Sequence, residues 1–175
     1  ANSFVGHDVS DVDQRLSHVR EAFEHLNTIP EIEIILKVVA ASRDFQIIFD
    51  FHRDSVQHLD PTANNGTKGI FYTTKHIYVA AKQLSVPGKE FEAYGTLAHE
   101  LCHYAMNLVY QNDCRPYKKD EIEAAYKFQQ ILLFSKMRRN AEELVNYIFC
   151  YPPEMQHAEL IVRVPHMLAQ YHNKT

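Results

Sequence analysis

The stretch His99-Glu100-Leu101-Cys102-His103 determines how the rest of the chain is interpreted, because it places two histidines four residues apart. On an α-helix, positions i and i+4 lie on one face, so both imidazoles can bind one metal ion. Glu100 adjoins the first histidine, where its carboxylate can accept a proton from a metal-bound water. The motif therefore contains two metal ligands and a base.

The residues around the motif predict a helix with a buried face, from about Phe91 to Tyr110. No glycine or proline interrupts residues 96–111. Apolar side chains recur at steps of three and four residues, namely Tyr94, Leu97, Ala98, Leu101, Ala105 and Leu108. A packed helix favours a metal site over a surface helix with two solvated histidines. Cys102 points away from the shared histidine face and is expected to be a small core residue.

Length, charge and cysteine content limit the class of protein. The 175 residues suit one domain with a sizeable core, and a chain that starts at Ala1 is expected to be excised from a longer one. A formal net charge of −4 without basic runs argues against nucleic acid or an anionic membrane as partner. The three cysteines, Cys102, Cys114 and Cys150, are widely spaced and favour a reducing, intracellular compartment over a disulfide framework.

The order of the predicted elements indicates an α+β domain, mostly helical with a small mixed sheet. The predicted elements are helices over 8–27 and 31–41, strands over 44–51, 69–73 and 76–80, the motif helix, and helices over about 119–137 and 141–150. A loop rich in Asn, Gly and Pro is expected over residues 60–69. Residues 159–171 are ambiguous, because LIVRV favours a strand and HMLAQY favours a helix.

Helices, then a sheet ending in a strand pair, then a helix with H-E-x-x-H: this order resembles the zincin metallopeptidases. The resemblance runs from about Gly69 to the C-terminus, and its specific part is the motif itself. It implies a zincin-like fold, a catalytic Zn²⁺ and a peptide or protein substrate. It also implies that the strand from Gly69 to Tyr72 is a sheet edge that pairs with an extended peptide, as unpaired edge groups can do. The alternative is a covered edge.

A catalytic zinc needs a third protein ligand and an open position for water. Met106 and Val109 stand where the metzincin class has a glycine and a third histidine, which excludes that class. A later glutamate is expected instead, as in the gluzincins. The candidates, in order of preference, are Glu159, then Glu143 or Glu142, then Glu123. Those after Glu159 fit equally well as first-turn carboxylates that interact with a helix dipole.

Glu159 ranks first because it is a single acid at the start of an apolar run, where a buried carboxylate needs a partner. Zinc would supply that partner, and Arg163 is the alternative. The segment also resembles the last glutamate element of lethal-factor-type small gluzincins, in which a preceding tyrosine binds the reacting oxyanion. That resemblance assigns the role to Tyr151, with His157 as the alternative donor. Pro165 departs from the family pattern and should kink or end a helix that contains Glu159.

The sequence therefore predicts a zinc-dependent peptidase of gluzincin type. His99, His103 and Glu159 bind the metal. Glu100 is the general base, and Tyr151 stabilises the oxyanion. One alternative is a zincin-like module that binds peptides or proteins without cleaving them, although the intact Glu100 argues against it. Another keeps the chemistry and makes the protein a toxin-like effector that acts on one host protein.

Overall fold

The computed structural model describes residues 2–4, 9–43, 45–56, 58, 69–72, 76–111, 115–133 and 147–171. Over these residues the chain has an α+β fold, as expected. The elements in chain order are β1 (Asn2–Phe4), α1 (Val9–Asn27), α2 (Pro30–Ala40), β2 (Gln46–Asp50), β3 (Gly69–Tyr72), β4 (His76–Ala80), a 3₁₀ turn (Lys82–Ser85), α3 (Glu90–Tyr110), α4 (Lys119–Leu133), a second 3₁₀ turn (Tyr147–Cys150) and α5 (Pro153–Tyr171).

The four described strands form one mixed sheet in the order β1-β2-β4-β3. β1, β2 and β4 are parallel to one another, and β3 is antiparallel to β4. In this register Ile47 pairs with Ile77, and Gly69 pairs with Val79. β1 was not predicted from the sequence. Among the described strands β3 is therefore an edge strand, hydrogen-bonded on one side to β4.

One face of the sheet packs on the helices and forms the main core. Side chains alternate along β2 and β4, so Ile47, Phe49, Ile77 and Val79 share that face. They join apolar side chains from the helices, including Leu26, Ile32, Leu97 and Leu101. Full burial of such a side chain stabilises the fold by about 1.5–3 kcal/mol. The core thus holds α3, the motif helix, firmly against the sheet.

The motif helix α3 is buried on all sides in its central part. Every residue from Ala93 to Met106 is buried, and the last turn emerges, so that Leu108 is exposed although its spacing predicted a core position. On one side α3 packs against α5. That contact is close at Gly95, where a Cβ would lie only 2.7 Å from His166 Cδ2. The glycine therefore allows α5 to approach the motif helix.

Over the described residues 153–171 the chain forms a single helix and no strand. α5 begins at Pro153, a position where the missing N–H costs nothing, and it continues through Pro165 to Tyr171. The expectation that Pro165 could end the helix is wrong. A proline inside a helix costs about 3 kcal/mol, and the buried packing of α5 outweighs that cost. None of the described helices is long and apolar enough to cross a membrane.

The remaining predicted elements are described only in part. Residues 60–68 of the expected loop and 134–137 of the expected long helix lie outside the described residues. The same holds for residues 141–146. Of the helix expected over 141–150, the described end, Tyr147–Cys150, is a 3₁₀ turn.

Candidate metal centre

His99, His103 and Glu159 meet where α3 packs against α5. His99 Nε2 lies 3.2 Å from Glu159 Oε2, and His103 Nε2 lies 3.0 Å from Glu159 Oε1. All three side chains are buried, and their possible ligand atoms lie within 4.8 Å of one another. Ligands about 2.1 Å from a tetrahedral ion are themselves about 3.4 Å apart. The spacing of the three side chains therefore fits a single metal ion.

One oxygen of Glu159 supports the same conclusion. Oε2 is buried and, although His99 Nε2 lies 3.2 Å away, it makes no well-aligned hydrogen bond. A buried polar atom without a partner costs about 1–3 kcal/mol, and a charged one costs more. A cation between the helices would satisfy that oxygen and the two Nε2 atoms together. The group can hold a metal ion, and two imidazoles with a carboxylate form a ligand set that Zn²⁺ accepts.

The protonation states of the cluster also suit a cation. Burial lowers the pKa of His99 to about 4, so its imidazole is neutral at neutral pH, the form that binds metals. Burial raises the pKa of Glu159, but His103 and His99 lower it more, and it falls well below its usual range. Glu159 is therefore a carboxylate at neutral pH. A carboxylate anion and a neutral imidazole suit a divalent ion.

Glu100 lies beside this cluster and under the edge strand. Its Oε1 is 3.9 Å from His99 Nε2, and its side chain is buried. A Cβ at Gly69 would lie 2.8 Å from Glu100 Cγ and 2.9 Å from Thr96 Cγ2. The start of β3 therefore touches the motif helix at Glu100, and a side chain at position 69 has no room. A sheet edge, a carboxylate and a candidate metal site are contiguous here.

The structure adds a residue to which the sequence assigned no role. His166 is buried, and its Nδ1 lies 3.0 Å from His99 Nδ1. Arg163 Nη1 lies 3.4 Å from the same atom of His166. The sequence does contain a pattern that indicates this residue. Position 166 follows Glu159 by seven residues, about two helical turns, so the two side chains lie on the same face of a helix. This pattern becomes visible once residues 159–171 are known to be helical.

The other predicted site residues lie on or next to the same two helices, Tyr151 just before α5, His157 in α5 and Cys102 in α3. Tyr151 is half-buried just before α5, where its backbone N–H donates to the carbonyl of Ile148, and its oxyanion role stays a prediction. His157 is exposed, although Glu159 two residues later is buried. Cys102 is buried against Met106 and Val162, as expected for a core residue.

The competing glutamates are outside the cluster or outside the described residues. Glu123 lies on the exposed face of α4, with its Oε1 3.6 Å from Lys119 Nζ. Glu142 and Glu143 fall among residues that the structure does not describe. Glu159 is thus the candidate that the described structure brings to both histidines.

Comparison of the chain with protein-family models, with curated proteins and with solved structures gives no match. The resemblance to the zincins therefore stands on the motif and the order of elements. The geometry of His99, His103 and Glu159 carries the functional argument.

Proposed function

We propose that this protein is a zinc-dependent peptidase of gluzincin type with a zincin-like fold. The carrying observation is that Glu159, on a separate helix, presents its two carboxylate oxygens to His99 and His103 at 3.2 and 3.0 Å. Each of these ligands is a buried side chain on a helix, which favours a well-defined coordination site. His99 and His103 on one helix and a glutamate from a later one form the ligand set proposed for zinc.

The chain's own residues divide the work of hydrolysis. His99, His103 and Glu159 would hold the ion, which when bound lowers the pKa of water and polarises a carbonyl. Glu100 accepts the proton of the attacking water and delivers it to the leaving amine. Its carboxylate is buried next to His99, where a proton acceptor for this step is needed. Tyr151 is the candidate donor to the developing oxyanion.

The edge strand favours a peptide as substrate. Among the described strands, β3 is bonded on one side to β4, and Gly69 at its start contacts Glu100. An extended peptide that adds to β3 as a further strand would form main-chain hydrogen bonds along it. Its backbone would then run past Glu100 and the metal ligands. We therefore propose β3 as the strand that aligns the scissile bond with the base.

Zinc content and hydrolysis of a peptide mixture, measured on the same preparations, test the proposal. We expect about one zinc per chain in the wild type and a large loss of zinc in His103→Ala. Glu100→Gln should retain the metal and lose hydrolysis, because it removes the base and leaves the ligands. His52→Ala, which removes an exposed histidine, is the matched control and should leave both unchanged.

Each contrary result points to a different error. Equal zinc content in the wild type and His103→Ala would contradict the metal site. Stoichiometric zinc with peptide binding but no turnover would instead favour the binding module.

A further inference from the structure

We propose that His166 is a positioning residue that fixes the orientation and the tautomer of His99 by accepting a hydrogen bond from His99 Nδ1–H. This role depends on the metal-binding part of the proposed function. His166 reaches His99 because it lies seven residues, about two helical turns, beyond Glu159 on the same face of α5. Both rings are buried, and the two Nδ1 atoms are 3.0 Å apart.

The hydrogen bond between the two rings has one consistent direction. His99 Nε2 faces Glu159 and His103 in the metal cluster, so it must offer a lone pair to the ion. A neutral imidazole carries one proton, which then has to lie on Nδ1. His99 Nδ1–H therefore donates, and His166 Nδ1 accepts. The tautomer of His99 is set from the side away from the metal.

Two further neighbours fit the same assignment for His166. Arg163 Nη1 lies 3.4 Å from His166 Nδ1, and a guanidinium has donors but no acceptor. A proton on His166 Nδ1 would therefore point at two other donors, His99 Nδ1–H and the Arg163 guanidinium. The remaining nitrogen, Nε2, carries the proton, and the side chain of Gln170, one turn later on α5, hydrogen-bonds His166. Arg163 and Gln170 thus hold His166 as an acceptor toward His99.

Gly95 makes room for this arrangement. A Cβ there would lie 2.7 Å from His166 Cδ2 and 3.0 Å from both His166 Nε2 and Gln170 Oε1. Glycine in the middle of a helix lowers its stability by about 1 kcal/mol relative to alanine. The space it leaves lets the His166 ring approach α3 closely enough to reach His99. Gly95→Ala would therefore displace the ring without removing a hydrogen-bonding group.

A group that accepts a hydrogen bond from the second ring nitrogen of a metal-binding histidine generally raises metal affinity. Removal of such a group typically lowers that affinity 10–100-fold. The first test is the dissociation constant for Zn²⁺ alone, measured by competition with a chromophoric chelator. We expect His166→Ala and Gly95→Ala to weaken binding by about 10–100-fold. His166→Asn keeps an acceptor oxygen near the position of Nδ1 and should restore most of the affinity.

A control variant separates positioning from general destabilisation. Met167→Ala removes a fully buried side chain from the next position on α5. It should lower the midpoint of urea unfolding and leave zinc affinity within about threefold of the wild type, because the folded protein keeps the contact between His99 and His166. Equal zinc affinity in the wild type and folded His166→Ala would overturn the proposal.

The second test uses the wild type, so it does not depend on whether a variant folds. Long-range ¹H–¹⁵N correlation spectra of the zinc-loaded protein should show protons on His99 Nδ1 and His166 Nε2, and none on His166 Nδ1. A proton on His166 Nδ1 would overturn the assignment. Failure of the wild type to bind zinc would overturn the metal site and this role together. Neither test measures peptide hydrolysis. A protein that binds zinc but cleaves no peptide would therefore still show whether His166 has this role.

Discussion

Glu159 Oε1 lies 3.0 Å from His103 Nε2 across the contact between α5 and α3. The two residues are distant in sequence, and only the packing of these helices brings them together. The geometry of the site therefore depends on the core that holds α3 in place and on the close approach of α5 at Gly95. Four consequences can be measured.

The first concerns the third ligand. Glu159→Gln replaces a carboxylate by a neutral amide of similar size. Zinc affinity should fall by more than about 100-fold, because loss of a ligand costs more than loss of a residue that only hydrogen-bonds a ligand. Glu123→Gln, on the exposed face of α4, is the matched control and should bind zinc as the wild type does. The opposite ranking of the two variants in a chelator competition would reject Glu159.

The second concerns the edge strand. Gly69→Ala places a methyl group 2.8 Å from Glu100 Cγ, so the carboxylate has to shift. A displacement near 1 Å can reduce a rate by about 100-fold. We expect kcat on a peptide substrate to fall by about 10–100-fold while zinc content stays the same. An unchanged kcat would show that the contact of Gly69 with Glu100 does not position the base.

The third concerns pH and the metal-free protein. Burial lowers the pKa of His99 to about 4 from 6.5, so below pH 6.5 the unfolded chain takes up a proton that the folded protein does not. The folded-state pKa of His166 is also lowered, chiefly by burial, and acts in the same direction. The folded-state pKa of Glu159 is lowered as well. The stability that its carboxylate contributes is therefore lost as the pH falls below the pKa of Glu159 in the unfolded chain.

Stability should therefore be highest above pH 6.5 and should decrease continuously down to pH 4. His99 alone accounts for about 3 kcal/mol of this loss. Urea unfolding at several pH values, in the presence of chelator, measures it. A free energy of unfolding that is constant between pH 7 and pH 4 would contradict the buried neutral state of His99.

The fourth concerns stabilisation by the ion. A ligand that binds only the folded state at 100 times its Kd stabilises it by about 2.7 kcal/mol. For a chain of 175 residues this corresponds to a rise in Tm of about 5–10 °C. Zinc should produce that shift in the wild type but not in His103→Ala. Mg²⁺ prefers oxygen ligands and should produce little shift in either, so an equal effect of the two ions would contradict a nitrogen-rich site.

Local patterns account for what could be predicted from the sequence. The motif helix was predicted to within one residue of Glu90–Tyr110, because its spacing and its freedom from breakers are local properties. β3 and β4 follow from β-rich runs flanked by polar residues. Glu159 was singled out because an acid beside an apolar run needs a partner, and because the segment resembles the last glutamate element of the small gluzincins. None of these inferences requires knowledge of tertiary contacts.

The parts that were missed depend on tertiary packing. Residues 160–164 are rich in Val and Ile, whose propensity favours a strand, yet burial against α3 makes the segment helical. His166 could not be recognised without that helix or without the space at Gly95. β1 is three residues long and pairs with a distant strand, so the sequence carries too little local pattern to reveal it.

The most direct test of the metal site is a crystal structure of the zinc-loaded protein with anomalous data at the zinc absorption edge. We expect one anomalous peak about 2.0–2.2 Å from His99 Nε2, from His103 Nε2 and from a carboxylate oxygen of Glu159. Its remaining coordination position should open toward Glu100 and the start of β3. A peak at other residues, or no peak between α3 and α5, would contradict the account.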